Sequence, residues 1–169
     1  PRCGSAAFTV ADSRSKRCAD CHFTYYANAS ASAAAVVRNA QGELLLVRRA
    51  FAPAAGTLCF PGGFAEHGES LETTCLRELQ EETGLHGHAP KFLFSLPNLY
   101  VYSELTVHTL DSFFAVSVDD ETALFADDDA SAAEWHPLSP DLLDGIPTEK
   151  PYAGSSKIHK RKYLTIKFI

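Results

Sequence analysis

At 169 residues and a net charge of −6, the chain has the length of one core domain with a small appendage, and 46% hydrophobic residues supply material for a real core. Its acidity, with a pI near 5.6, argues against a general nucleic-acid binder. No apolar run reaches the roughly 20 residues of a membrane helix and no leader pattern is visible, so the expectations are no membrane partner and a cytoplasmic location.

Residues 1–30 differ from the rest: Cys3, Cys18 and Cys21 lie among Gly, Ser, Asp, Arg and Lys with few aliphatic residues. Cys18-Ala19-Asp20-Cys21 has the spacing of a metal-ligand pair, and two such pairs make a tetrahedral zinc site. Only the second pair is complete. The chain begins Pro1-Arg2-Cys3-Gly4 and contains no Met, which reads as a truncated start whose missing cysteine would complete the first pair. His22 is a poorer fourth ligand, because ligation by both Cys21 and its neighbour strains the geometry. A disulfide is the rival; C-x-x-C spacing in a cytosolic setting favours structural zinc on Cys3, Cys18 and Cys21.

From Ala33 the pattern turns apolar. Ala33–Val37 reads as a strand, Asn39–Gly42 as a turn and Glu43–Arg49 as a second strand, together a β-hairpin. Ala52–Gly56 is a loop and Pro61-Gly62-Gly63 a tight turn. A helix is expected from Ser70 to Thr83, with Ser70 capping its start and Gly84 following its end; Leu71, Cys75, Leu76 and Leu79 form the apolar stripe. Phe92–Leu96 and Thr106–Val118 read as further strands, Asp127–Asp129 as an acidic loop, and Glu134–Leu138 as a last strand or turn. The tail is open between a strand, for which Leu164, Ile166 and Phe168 alternate with polar partners, and a helix, and Lys157, Lys160, Arg161 and Lys162 read as a solvated basic face. Cys59 and Cys75 read as apolar core residues.

The chemistry concentrates at the expected helix. Glu78 and Glu82 are four apart and Glu81 is three from Glu78, so the three carboxylates share one face. Like charges stacked there repel, and a hard divalent cation is the natural group to gather them, since Mg²⁺ prefers carboxylate oxygens.

The stretch Gly63–Leu85 resembles the Nudix box. Gly63, Glu69, Arg77, Glu78, Leu79, Glu81, Glu82, Gly84 and Leu85 fill its fixed positions without a gap. The resemblance implies an α/β fold: an α/β/α sandwich with a mixed β-sheet over residues 31–169, preceded by a small zinc ribbon over residues 1–30. It implies hydrolysis of a diphosphate bond in a nucleoside diphosphate linked to another moiety, with Mg²⁺ or Mn²⁺ as cofactor. Glu78 and Glu82 are then the firmest metal ligands, with Glu81 close behind and the Gly62 carbonyl as a further donor. One of these carboxylates takes or positions the proton of the attacking water. Arg77 is expected to pair with Glu69 and orient the loop. An acid from a later loop assists in many relatives; Asp129 is the candidate here, with Asp128 and Glu134 competing. His67 is expected to face solvent.

A zinc ribbon before a Nudix domain resembles the NADH pyrophosphatase branch, whose relatives often form a homodimer. That branch carries a signature rich in Ser, Gln, Pro, Trp and Phe after the box. This chain has Phe94-Ser95-Leu96-Pro97-Asn98-Leu99-Tyr100 there, keeping Ser and Pro without a Gln-Pro-Trp run. NADH, ADP-ribose and related dinucleotides or nucleotide sugars are the expected substrates. Phe64, Tyr100 and Tyr102 are either stacking partners for a base or ordinary strand aromatics. Two rival readings remain: a nucleotide sensor using the same fold without turnover, and a ribbon that binds nucleic acid or protein through Arg2, Arg14, Lys16 and Arg17.

Overall fold

The computed structural model describes residues 2–50, 55–102, 105–126, 130–139, 141–142 and 146. The N-terminal segment forms its own antiparallel sheet, β1 (Phe8–Asp12), β2 (Ser15–Cys18) and β3 (Thr24–Tyr26), in that order. Asp12 closes the first turn by accepting the Arg14 N–H at 2.9 Å.

The main sheet is mixed. β4 (Ser30–Val37) runs parallel to β9 (Leu105–Val118) and antiparallel to β7 (Gly62–Phe64), and β9 pairs antiparallel with β8 (Gly87–Tyr102). The order is β7-β4-β9-β8. A second sheet holds β10 (Ala130–His136), β5 (Leu44–Arg49) and β6 (Leu58–Cys59).

The helix α1 spans Leu71–Thr83. Ser70 is its N-cap and accepts the Thr73 N–H at 3.2 Å, while Gly84 takes the left-handed conformation (φ 71°) and returns its N–H to the Gln80 carbonyl. Cys75 and Leu79 are buried against Ala33, Ala35 and Val37 of β4 and Phe114 and Val116 of β9. Alternate residues of β4 therefore face α1. Val36, from the opposite face, joins Leu44, Leu46 and Phe60 in a second cluster, where Leu138, Leu142 and Ile146 pack. α1 covers one face of the sheet, and on the opposite face Leu138, Leu142 and Ile146 pack, with residues 141–142 helical.

Three expectations are corrected. Gly62 and Gly63, read with Pro61 as a tight turn, open the strand β7 against β4. The segments read as a hairpin share a single bridge, Arg38 to Leu44, and then enter different sheets. The reason is that both edges of β4 are already occupied, by β9 on one side and by β7 and the Pro61 carbonyl on the other. The strand read as Phe92–Leu96 is the longer β8, which contains Pro90 and Pro97. Within the described sheet β8 lies at the edge, where a residue without an N–H does not interrupt an inner ladder. Register shifts between His88 and Lys91 and between Phe92 and Phe94 absorb the irregularity. No helix among the described residues is long and apolar enough to cross a membrane. The acidic loop Asp127–Asp129, the tail from Pro151, and Ala52 to Ala54 lie outside the described residues.

Candidate active site

The loop before α1 is tied to the helix by one side chain. Arg77 donates from Nε to Glu69 Oε1 at 2.8 Å and from Nη2 to Glu69 Oε2 at 3.0 Å, the bidentate geometry that suits a planar guanidinium. Its Nη1 donates to Glu78 Oε1 and to Glu81 Oε2, both at 2.8 Å, and Nη2 also reaches the Phe64 carbonyl at 3.2 Å. The positive group that gathers Glu69, Glu78 and Glu81 in this structure is thus Arg77 itself. Glu69 further accepts from the Thr74 hydroxyl and the Glu66 N–H, each at 2.9 Å. The hydrogen bonds from Arg77, with help from the Glu66 amide, hold the Glu69 carboxyl down at about 2. The same bonds raise the Arg77 guanidinium above its ordinary value.

Glu82, 8% exposed, turns the other way and accepts the Gly62 N–H at 2.9 Å. Neither Gly62 nor Gly63 has room for a side chain. A Cβ at Gly62 would meet the Ala33 carbonyl and Ala34 Cα, and one at Gly63 would meet the Glu78 carboxylate. The two glycines let β7 lie close to β4 on one side and to the helix carboxylates on the other.

These groups form one wall of a cavity of about 650 Å³, the size of a small-ligand site. Gly62, Gly63, Arg77, Glu78, Glu81 and Glu82 line it at one end. Ser32, Asn98, Thr109, Asp111 and Phe113, from β4, β8 and β9, form its floor, and Val47, Arg49 and Cys59 reach in from the second sheet. Phe64 and Tyr100 also line it, edge to face with ring centroids 5.6 Å apart. Arg49 Nη2 lies 3.5 Å from the Tyr100 hydroxyl.

The other expected residues are placed as follows. Glu134 is on β10 with Arg48 at 3.4 Å and His136 at 3.0 Å, and it does not line the cavity. Asp128 and Asp129 lie outside the described residues, and Tyr102 is on β8 with its side chain outside them. His67 is exposed. Cys75 is a core residue, its thiol pushed up to about 12 by burial. Cys59 is instead half-buried in the cavity wall, with its thiol raised by burial to about 11. Inspection of the sequence missed Ser32, Thr109 and Asp111, which belong to no motif. The available signal was slight: polar Thr109 and Asp111 flank Leu110 inside a stretch read as a strand.

Away from the cavity, Cys3, Cys18 and Cys21 bring their sulfurs within 4.8 Å of one another, with Cys3 and Cys18 at 3.6 Å. They are a possible metal-binding cluster. The N–H of Cys21, with that of Asp20, lowers the Cys18 thiol to about 7, toward the thiolate form that ligates metal. His22 takes a left-handed backbone (φ 59°) and is not in the cluster.

The family model described as NUDIX domain matches residues 29–151. The chain belongs to the NUDIX domain family. An ADP-ribose pyrophosphatase of Methanocaldococcus jannaschii is 34% identical over 99 residues, covering 57% of this chain and 56% of that protein. A NAD-capped RNA hydrolase NudC of Stutzerimonas stutzeri is 36% identical over 94 residues, covering 55% of this chain and 33% of that protein. A mouse ADP-sugar pyrophosphatase is 44% identical over 64 residues, covering 34% of this chain and 29% of that protein. The chain thus spans between 29% and 56% of the length of these relatives. Among solved structures, a NUDIX hydrolase from Nitrosomonas europaea superposes with a TM-score of 0.64 at 19% identity, covering 90% of this chain and 78% of that one. The NUDIX domain of Shewanella oneidensis NrtR, complexed with ADP ribose, gives a TM-score of 0.58 at 24% identity, covering 80% and 86%. These likenesses extend to the fold: a NUDIX mixed sheet with the box helix on one face.

Proposed function

We propose that this chain hydrolyses the diphosphate bond of a nucleoside diphosphate linked to another moiety, with ADP-ribose-like and NAD-like compounds as its substrate class. The observation that carries the reading is the placement of Glu78, Glu81 and Glu82, braced by Arg77 and Gly62, along one wall of a ligand-sized cavity. The 34% identity to an ADP-ribose pyrophosphatase supports the substrate class.

The reaction adds water to one phosphorus, breaks the bridging P–O bond and leaves two phosphate monoesters. The donor set at this wall consists of hard carboxylate oxygens, which fits Mg²⁺ or Mn²⁺. Glu78, Glu82, Glu81 and the Gly62 carbonyl would hold the cation, whose chemistry is to neutralise diphosphate oxygens and act as a Lewis acid. Glu81 and Glu82 are the residues that take or position the proton of the attacking water. Arg77, with its guanidinium committed to Glu69, Glu78 and Glu81, is a positioning residue: it fixes the loop and aims the carboxylates. Structural zinc on Cys3, Cys18 and Cys21, a homodimer and a boundary near residue 30 complete the proposal.

Product analysis tests it. The purified chain is incubated with Mg²⁺ or Mn²⁺ and NADH, NAD⁺, ADP-ribose, FAD, diadenosine polyphosphates and nucleoside triphosphates. ADP-ribose giving AMP and ribose 5-phosphate, or NADH giving AMP and reduced nicotinamide mononucleotide, is the expected outcome. Cleavage of none with either metal would leave a nucleotide sensor as the better reading.

A further inference from the structure

The cavity has a second polar centre besides the helix carboxylates. Asp111 accepts the Ser32 hydroxyl on Oδ1 at 2.6 Å and the Asn98 amide on Oδ2 at 2.9 Å. Each oxygen of a carboxylate has more than one acceptor direction, so both keep capacity after these bonds. The two braces fix the plane of the carboxylate, and Ser32, Asn98 and Asp111 all line the cavity. Two residues back on the same face of β9 is Thr109, 4% exposed and also part of the lining. Its hydroxyl is buried and makes no hydrogen bond among the described residues. A buried hydroxyl without a partner costs on the order of 1–3 kcal/mol, and a native structure ordinarily has a reason for one.

We propose that Asp111, braced by Ser32 and Asn98 and joined by Thr109, is a subsite for a vicinal sugar diol of the substrate. The proposal rests on the reading of the cavity as a nucleotide-diphosphate site, and it names what that site recognises apart from the phosphates. A fixed carboxylate offers two parallel acceptors, which two adjacent hydroxyls fill as donors. Thr109 both donates and accepts, as does a sugar hydroxyl, so the two can pair in either sense. The bonds that brace Asp111 come from Ser32 and Asn98, whereas those of Arg77 go to Glu69, Glu78, Glu81 and the Phe64 carbonyl, so recognition of the sugar and alignment of the diphosphate are assigned to different residues of one cavity.

The test uses the wild-type chain with three compounds: ADP-ribose, its analogue lacking both hydroxyls of the adenosine ribose, and its analogue lacking those of the terminal ribose. Wild-type protein should show a KM at least about tenfold higher for one of the two analogues, with kcat little affected. Asp111→Asn should level that difference, and the isosteric Thr109→Val should reduce it. If no compound is cleaved, the hydrolase reading fails, and calorimetric binding of the same three compounds then decides the diol subsite by the same tenfold criterion. Equal handling of all three by wild-type protein overturns the proposal. So does a discrimination that survives in both variants. A guanine-over-adenine preference removed by Asp111→Asn, without dependence on ribose hydroxyls, would assign the carboxylate to a base edge and also overturn it.

Discussion

Arg77 and Glu69 meet through two parallel bonds, Nε to Oε1 at 2.8 Å and Nη2 to Oε2 at 3.0 Å, and so join a loop to the middle of the helix that follows it. The remaining Arg77 donors go to Glu78, Glu81 and the Phe64 carbonyl. Lysine offers a point charge without this planar fork. Arg77→Lys is expected to keep the fold by circular dichroism but to lower turnover by roughly 10²-fold, because carboxylates displaced by about 1 Å lose their alignment. Turnover within twofold of wild type would remove Arg77 from the positioning role.

The same pair sets a pH signature. The Glu69 carboxyl sits at about 2, below its ordinary 4.5. A carboxyl depressed in the folded state adds stability above its unfolded value, and that stability is lost as pH falls toward the folded value. The contribution is therefore complete above about pH 5 and declines from about 4.5 toward about 2. Glu69→Gln has no carboxyl to titrate. The gap in Tm between wild type and this variant should be flat above pH 5 and close below it; a gap flat down to pH 2.5 would refute the coupling.

Glu82 is buried and bonded to the Gly62 N–H, a contact that a glutamine carbonyl can retain. Glu82→Gln is expected to fold normally and lose about two to three orders of magnitude in turnover, the usual cost of a missing proton-transfer or ligand group. A chelator should abolish wild-type turnover, and Mg²⁺ or Mn²⁺ should restore it. Near-normal rates in the variant would sink the proposed mechanism.

Gly63 separates effects on chemistry from effects on folding. A methyl group there would press on the Glu78 carboxylate, the movable end of a side chain, whereas at Gly62 it would press on the backbone of β4. Gly63→Ala should thus lose activity with a modest change in Tm, and Gly62→Ala should lose both. Equal stability losses in the two variants would count against this division.

The N-terminal thiols should carry metal. Elemental analysis of protein purified without chelator is expected to find close to one zinc per chain, lost in Cys18→Ser and retained in Cys59→Ser, since Cys59 lies in the cavity wall. Metal-free protein with freely alkylated Cys18 would contradict the assignment.

What could be read from the sequence followed the range of the interactions. The helix limits depend on Ser70 and Gly84, which act within one turn of themselves, and both ends of α1 agree with that reading. The partner of β4 was not legible. Its neighbour β9 begins nearly seventy residues after β4 ends, and no local pattern encodes that pairing. The nearer segment β5 looked like the partner because a turn joins the two, yet Asn39 captures the Gln41 and Glu43 amides and the chain leaves the sheet. The length of β8 was masked by Pro90 and Pro97, which local rules read as strand breakers. The cavity floor was invisible for the same reason as β9: Ser32, Thr109 and Asp111 become a group only after a parallel pairing brings them side by side.

The bond from Ser32 to Asp111 spans 79 positions of chain. The charged helix and its caps can organise within a short stretch, but the groove beside them does not exist until β9 docks along β4, a slow, long-range closure. A growing chain that had reached only the end of α1 would own its acids with nowhere to seat a molecule. A molecule seated later would act as a clasp across that seam, adding its binding energy to the closed sheet. Slower hydrogen exchange along β4 and β9 on ligand addition would be the trace of that clasp.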